Sequence, residues 1–133
     1  MKPKINLEHT PEILNEFILK IESVNKNVFS IYNFEIEQDI MFSKDKWIFI
    51  LFAGYSGPDI KMVEEVLEIS NQFPNLNFAF KPFMDDRKIQ DFTEVSVLRK
   101  VTPIILKRED NITELISSSI KSKSEIEELI SLI

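Results

Sequence analysis

The apolar residues near the middle of the chain form one continuous block, while those before and after it recur at helical spacing. Trp47-Ile48-Phe49-Ile50-Leu51-Phe52-Ala53, entered through Lys44-Asp45-Lys46, is aromatic and β-branched almost throughout, the composition of a strand covered on both faces. Upstream, Ile13, Leu14, Phe17, Ile18 and Ile21 share one face at helical spacing. Thr10-Pro11-Glu12 opens that helix with a cap, a first-turn proline and an acid near the positive end. Asn25-Lys26-Asn27 stops it. Between these elements, Phe29, Ile31, Phe34, Ile36, Ile40 and Met41 alternate irregularly with acids. That stretch fits a short strand with a turn or a second helix.

Beyond the block, Ser56-Gly57-Pro58-Asp59 leads into Ile60, Met62, Val63, Val66, Leu67 and Ile69 in helical rhythm, ending near Gln72-Phe73-Pro74. A second strand is expected over residues 76–80, and Asp85-Asp86-Arg87 starts a shorter helix reaching residues 92–95. A β-α-β-α order of this kind favours parallel strands joined by right-handed crossovers. The last third changes character. Thr102-Pro103 precedes Ile104-Ile105-Leu106, residues 107–111 form a charged turn, and residues 112–120 return as the second arm of a hairpin. Ser122-Lys123-Ser124-Glu125 then introduces Ile126, Leu129, Ile130 and Ile133 on one face of a final helix.

Composition narrows the function more than the fold. With 133 residues, 44% apolar, 29% charged and only 2 Gly, the chain is expected to be a single globular domain, residues 1–133. Its formal charge of −6 contains no basic run to follow a phosphate backbone, so nucleic acid is not an expected partner. No apolar run approaches the roughly 20 residues of a membrane helix, and no secretory h-region is read at the start; a cytoplasmic address is expected. The chain has no cysteine and a single histidine, His9. This removes disulfides, thiolate nucleophiles and Cys-based metal sites, and leaves little from which to build a catalytic triad. No cofactor is expected.

Residues 52–59, Phe52-Ala53-Gly54-Tyr55-Ser56-Gly57-Pro58-Asp59, resemble the thioredoxin stretch W-A-x-W-C-G-P-C at the end of the central strand, with Ser56 and Asp59 at the two cysteine positions. Val101-Thr102-Pro103-Ile104 resembles the step into the cis-proline that faces the redox motif in that family. The resemblance covers residues 46–133. It implies a three-layer α/β/α sandwich around a mixed sheet, preceded by an N-terminal helical extension over residues 1–42. It also places the family's buried, proton-transferring acid at Ile50. Nucleophile, resolving thiol and acid are thus absent together, which implies a redox-inactive protein.

The residues singled out for function are Tyr55, Ser56, Gly57, Pro58, Asp59, Thr102 and Pro103. Ser56 and Asp59 stand in an S-x-x-D spacing at a helix start, where each can accept a first-turn N–H. Ser56 could instead orient a thiolate or anion brought by a ligand, although Asp59 would repel an anion. In the family resembled, the residue before the proline, here Thr102, offers main-chain hydrogen bonds to an extended peptide. Tyr55 would lie at the rim. The reading that follows is a binding module holding another protein or peptide in the former active-site groove. Two alternatives are a glutathione-binding or transferase-like activity using Ser56 or Tyr55, and a structural or assembly subunit. Asp85-Asp86 suits helix capping better than a metal, Trp47 is expected in the core, and His9 in a solvated tail. Glu64, Glu65 and Glu68 should form a solvated face with Lys61 beside Glu65.

Overall fold

The computed structural model describes residues 19–21, 26–31, 34–43, 45–52, 57–82, 103–119 and 121–133. Its elements are β1 (Val28–Ser30), α1 (Phe34–Phe42), β2 (Trp47–Phe52), α2 (Gly57–Ser70), β3 (Asn77–Pro82), β4 (Ile104–Glu109), β5 (Ile112–Ser117) and α3 (Lys123–Ser131). Residues 19–21 are helical as well. The helix starts expected at Thr10 and Asp85 lie outside the described residues, as do His9 and the Asp85-Asp86 pair.

The strands form one five-stranded sheet in the order β1-β3-β2-β4-β5. β1 and β2 both pair in parallel with β3, whereas β4 runs antiparallel to β2 and to β5. The apolar block supplies the middle strand because only a strand with neighbours at both edges and layers on both faces can bury six successive side chains. Its pleat divides them. Ile48, Ile50 and Phe52 join Phe78, Phe80 and Ile105 under Met62, Val63, Val66 and Ile69 of α2 and Ile126 and Ile130 of α3. Trp47, Phe49 and Leu51 face the other way with Ala79, Ile104 and Leu106, under Ile36 and Ile40 of α1. These are the three layers, helix over sheet over helix.

Trp47 belongs to the core, as its position predicts. Its ring stacks on Phe49 at 6.2 Å and tilts against Phe29 at 5.2 Å, and its indole N–H donates to Ser43 Oγ at 3.2 Å.

Residues 28–42 hold both a strand and a helix. β1 is the edge strand beyond β3, with Val28 opposite Phe78 and Ser30 opposite Phe80, so the sheet reaches back into the segment set apart by sequence as an extension. Asn27 fixes the approach to that strand. Its side-chain amide donates toward the carbonyls of Ser70 at 3.3 Å, Phe73 at 3.1 Å and Leu76 at 2.8 Å. These carbonyls end α2 and line the turn into β3, where helical partners have run out.

The hairpin is tighter than the sequence suggests. β4 continues through Lys107 and Arg108 to Glu109, and only Asp110 and Asn111 turn, both at positive φ (51° and 68°). Two left-handed residues in succession make the type I′ turn whose twist matches the flanking strands, and Asp and Asn tolerate that conformation. α3 starts as expected: Ser122 Oγ accepts from Glu125 N–H and Glu125 Oε1 accepts from Ser122 N–H, a complete capping box. The acids of α2 pair with neighbouring helices, Glu64 with Lys20 at 3.3 Å and Glu68 with Lys123 at 2.8 Å. Among the described residues no helix is long and apolar enough to cross a membrane.

Candidate functional site

β2 and β3 run side by side in the same direction and end together, Phe52 opposite Pro82. β4 runs the other way and begins there, with Ile104 opposite Leu51. Pro103, one residue earlier, is therefore delivered to the end of the central strand. α2 opens from the same end at Gly57. Gly57, Pro58, Asp59 and Pro103 thus lie toward the end of the sheet at which β2 stops and α2 and β4 begin. Tyr55, Ser56 and Thr102 lie outside the described residues, and with them the geometry of the Thr102-Pro103 bond.

The four described positions differ in exposure, and the difference fixes what each can do. Gly57 and Pro58 are exposed, whereas Pro103 is buried and Asp59 is only 3% exposed. Pro58 suits the first turn because no helical N–H bond is required there. Asp59, third in the helix, places an acid in the first turn, at the positive end of the helix. Gly57 is not needed for its backbone: its φ is not positive, and an added Cβ would meet nothing within 4 Å. At Gly57, then, the main chain is exposed with open space beside it, whereas Pro103 is packed into the interior.

The interior behind this edge is apolar. Ile50, standing where the resemblance puts the family's buried acid, is fully buried in the cluster with Phe80, Ile105 and Met62. At that position an apolar side chain stands in place of a carboxylate. Among the described residues no group of three or more His, Asp or Glu could hold a metal.

One feature near this edge escaped the sequence reading. Lys81, next to last in β3, bonds Glu37 of α1 at 2.7 Å, with side chains 11% and 14% exposed. A signal existed: in Phe78-Ala79-Phe80-Lys81 the period of two sets Lys81 on the inward face with Ala79, a position that calls for a buried counter-charge.

No family model and no curated protein matches the sequence. Solved structures do match the fold. Mitochondrial thioredoxin 3 from Saccharomyces cerevisiae, in its oxidised form, superposes with a TM-score of 0.58 at 18% identity, covering 78% of this chain and 93% of that one. A mutant thioredoxin from Halobacterium salinarum NRC-1 gives 0.60 at 12% identity over 77% and 87%. The oxidised thioredoxin from Plasmodium falciparum gives 0.59 at 15% identity over 77% and 94%. Identities this low speak for architecture alone, and the strand order, the mixed sheet and the paired helical layers agree with them: the chain has the thioredoxin fold, in a version without a cysteine.

Proposed function

We propose that the chain is a redox-inactive thioredoxin-fold module that binds an extended segment of another protein at the edge formed by Gly57, Pro58 and Pro103, with Tyr55, Ser56 and Thr102 completing the groove. Without a thiol the chain cannot capture its ligand covalently, so affinity comes from main-chain pairing and apolar contact. The observation that carries this reading is the open space at Gly57. Neither backbone strain nor crowding of a Cβ requires a glycine there, and its absent side chain leaves room for an incoming chain.

Display selection of extended peptides against the immobilised chain tests it, with Gly57→Trp as counter-screen. The fold accommodates the Cβ of the new side chain, and a thermal melt of the variant checks that folding is retained while the groove is filled. Peptides that bind the natural chain and lose binding to Gly57→Trp are expected. A selection that yields only peptides binding both equally would refute the groove.

A further inference from the structure

Among the described residues β5 ends the sheet, and its outer edge is shaped more specifically than its length suggests. With a two-residue turn at Asp110 and Asn111, Glu109 and Ile112 form the bonded pair nearest the turn. Bonded and non-bonded pairs then alternate: Lys107 with Glu114 bonded, Arg108 with Thr113 and Leu106 with Leu115 not. The N–H and C=O of Thr113 and Leu115 consequently point away from β4, toward the open side. Beyond Leu115 the register shifts and Ile116 is the extra, bulged residue; below Thr113 the chain turns. The usable edge is therefore Thr113-Glu114-Leu115.

A second copy is a poor fit for this edge. For Thr113 of one chain to bond Leu115 of the other, the symmetry axis must pass through Glu114. Two carboxylates would then meet at a non-bonded position, where Cα atoms come within about 4.5 Å. Among the described residues Glu114 makes no ion pair; Lys107, directly across, lies 3.9 Å from Glu109 instead. The charge is thus available to an incoming strand. It is flanked on its own face by Ile112, which is 64% exposed, and by Ile116.

We propose that the β5 edge accepts a short extended segment of a partner protein carrying Lys or Arg opposite Glu114 and apolar residues two positions to either side, and that Glu114 rejects a second copy of this chain. This surface is separate from the Pro103 groove, and the two readings stand or fall independently.

The test is an NMR titration of the labelled chain with two capped peptides, Ser-Val-Thr-Lys-Thr-Val-Ser and the same sequence with Glu for Lys. The Lys peptide is expected to shift and protect the amides of Thr113 and Leu115, with an affinity about tenfold above that of the Glu peptide. Glu114→Lys, an exposed substitution, should invert the preference. Equal binding of both peptides, binding of neither, or concentration-dependent shifts of the same amides without peptide would overturn the proposal. Shifts at Gly57 and Ile104 instead would overturn it while leaving the groove reading intact.

Discussion

Lys81 Nζ and Glu37 Oε2 meet at 2.7 Å between β3 and α1, and neither side chain is more than 14% exposed. The pair joins α1 to the strand that ends at the candidate groove. Removing one partner strands the other's charge in a poorly solvated place, so Glu37→Ala should destabilise the chain by about 2–3 kcal/mol, between the values for exposed and buried pairs. Replacing both, as in Glu37→Leu with Lys81→Met, should return most of that loss. Urea denaturation of the single and double variants measures it.

Asn27 should matter more than an ordinary surface amide. Its nitrogen serves carbonyls of Ser70, Phe73 and Leu76 from a nearly buried position. Asn27→Ala would leave them short of a donor, at a cost of about 1–3 kcal/mol. Asn27→Asp should be worse, because a carboxylate would then face carbonyl oxygens. Thermal melts with faster amide exchange at Phe78, which donates to Asn27 O, would report the loosened junction.

The start of α3 should be acid-sensitive. The hydrogen bond from Ser122 N–H holds the Glu125 carboxyl below its ordinary value of 4.5, and the Lys123 ammonium does the same for Glu68. A carboxyl whose folded pKa is depressed stabilises the fold above its unfolded pKa, and that contribution disappears as pH falls through the folded value. Side-chain carboxyl titrations by NMR should therefore give midpoints below 4.5 for both groups, with fraying of α3 at lower pH. Ser122→Ala should cost about 1 kcal/mol and move the Glu125 midpoint upward.

Gly57→Ala should leave stability within about 0.5 kcal/mol of the natural chain, since the methyl meets no neighbour. If peptide binding weakens in the same variant, the open space serves contact with another chain. Differential scanning calorimetry beside isothermal titration with a selected peptide separates the two effects.

The sequence was most legible where one strong local signal coincided with the tertiary role. The block at Trp47 to Phe52 has the burial of a central strand, and Ser122 with Glu125 forms the expected cap. Two landmarks, around Gly57 and Pro103, anticipated an architecture that overall similarity to curated sequences does not reveal. The failures have physical reasons. β1 is three residues long, too short to show a period, and α1 buries Ile36 and Ile40 with little further pattern. Lys107, Arg108 and Glu109 look like a turn because they are charged. Yet Arg108 is a buried strand residue whose guanidinium donates to Thr113 Oγ1 at 2.7 Å. Asn27 and the Lys81–Glu37 pair join residues more than forty positions apart; the strand period sets Lys81 inward, but no local pattern names the partner of either residue. Of the candidate site, Gly57, Pro58, Asp59 and Pro103 are the described members, and the burial of Asp59 followed only from the packing.

The central claim is that this cysteine-free thioredoxin fold binds an extended chain where relatives of its architecture carry their redox motif. The most direct measurement is amide chemical-shift mapping with a display-selected peptide on the natural chain and on Gly57→Trp. The account predicts shifts concentrated at Gly57, Asp59, Ile60, Ile104 and Ile105 that vanish in the variant. Shifts that persist in Gly57→Trp, or that fall on α3 or on the exposed face of α1, would contradict it.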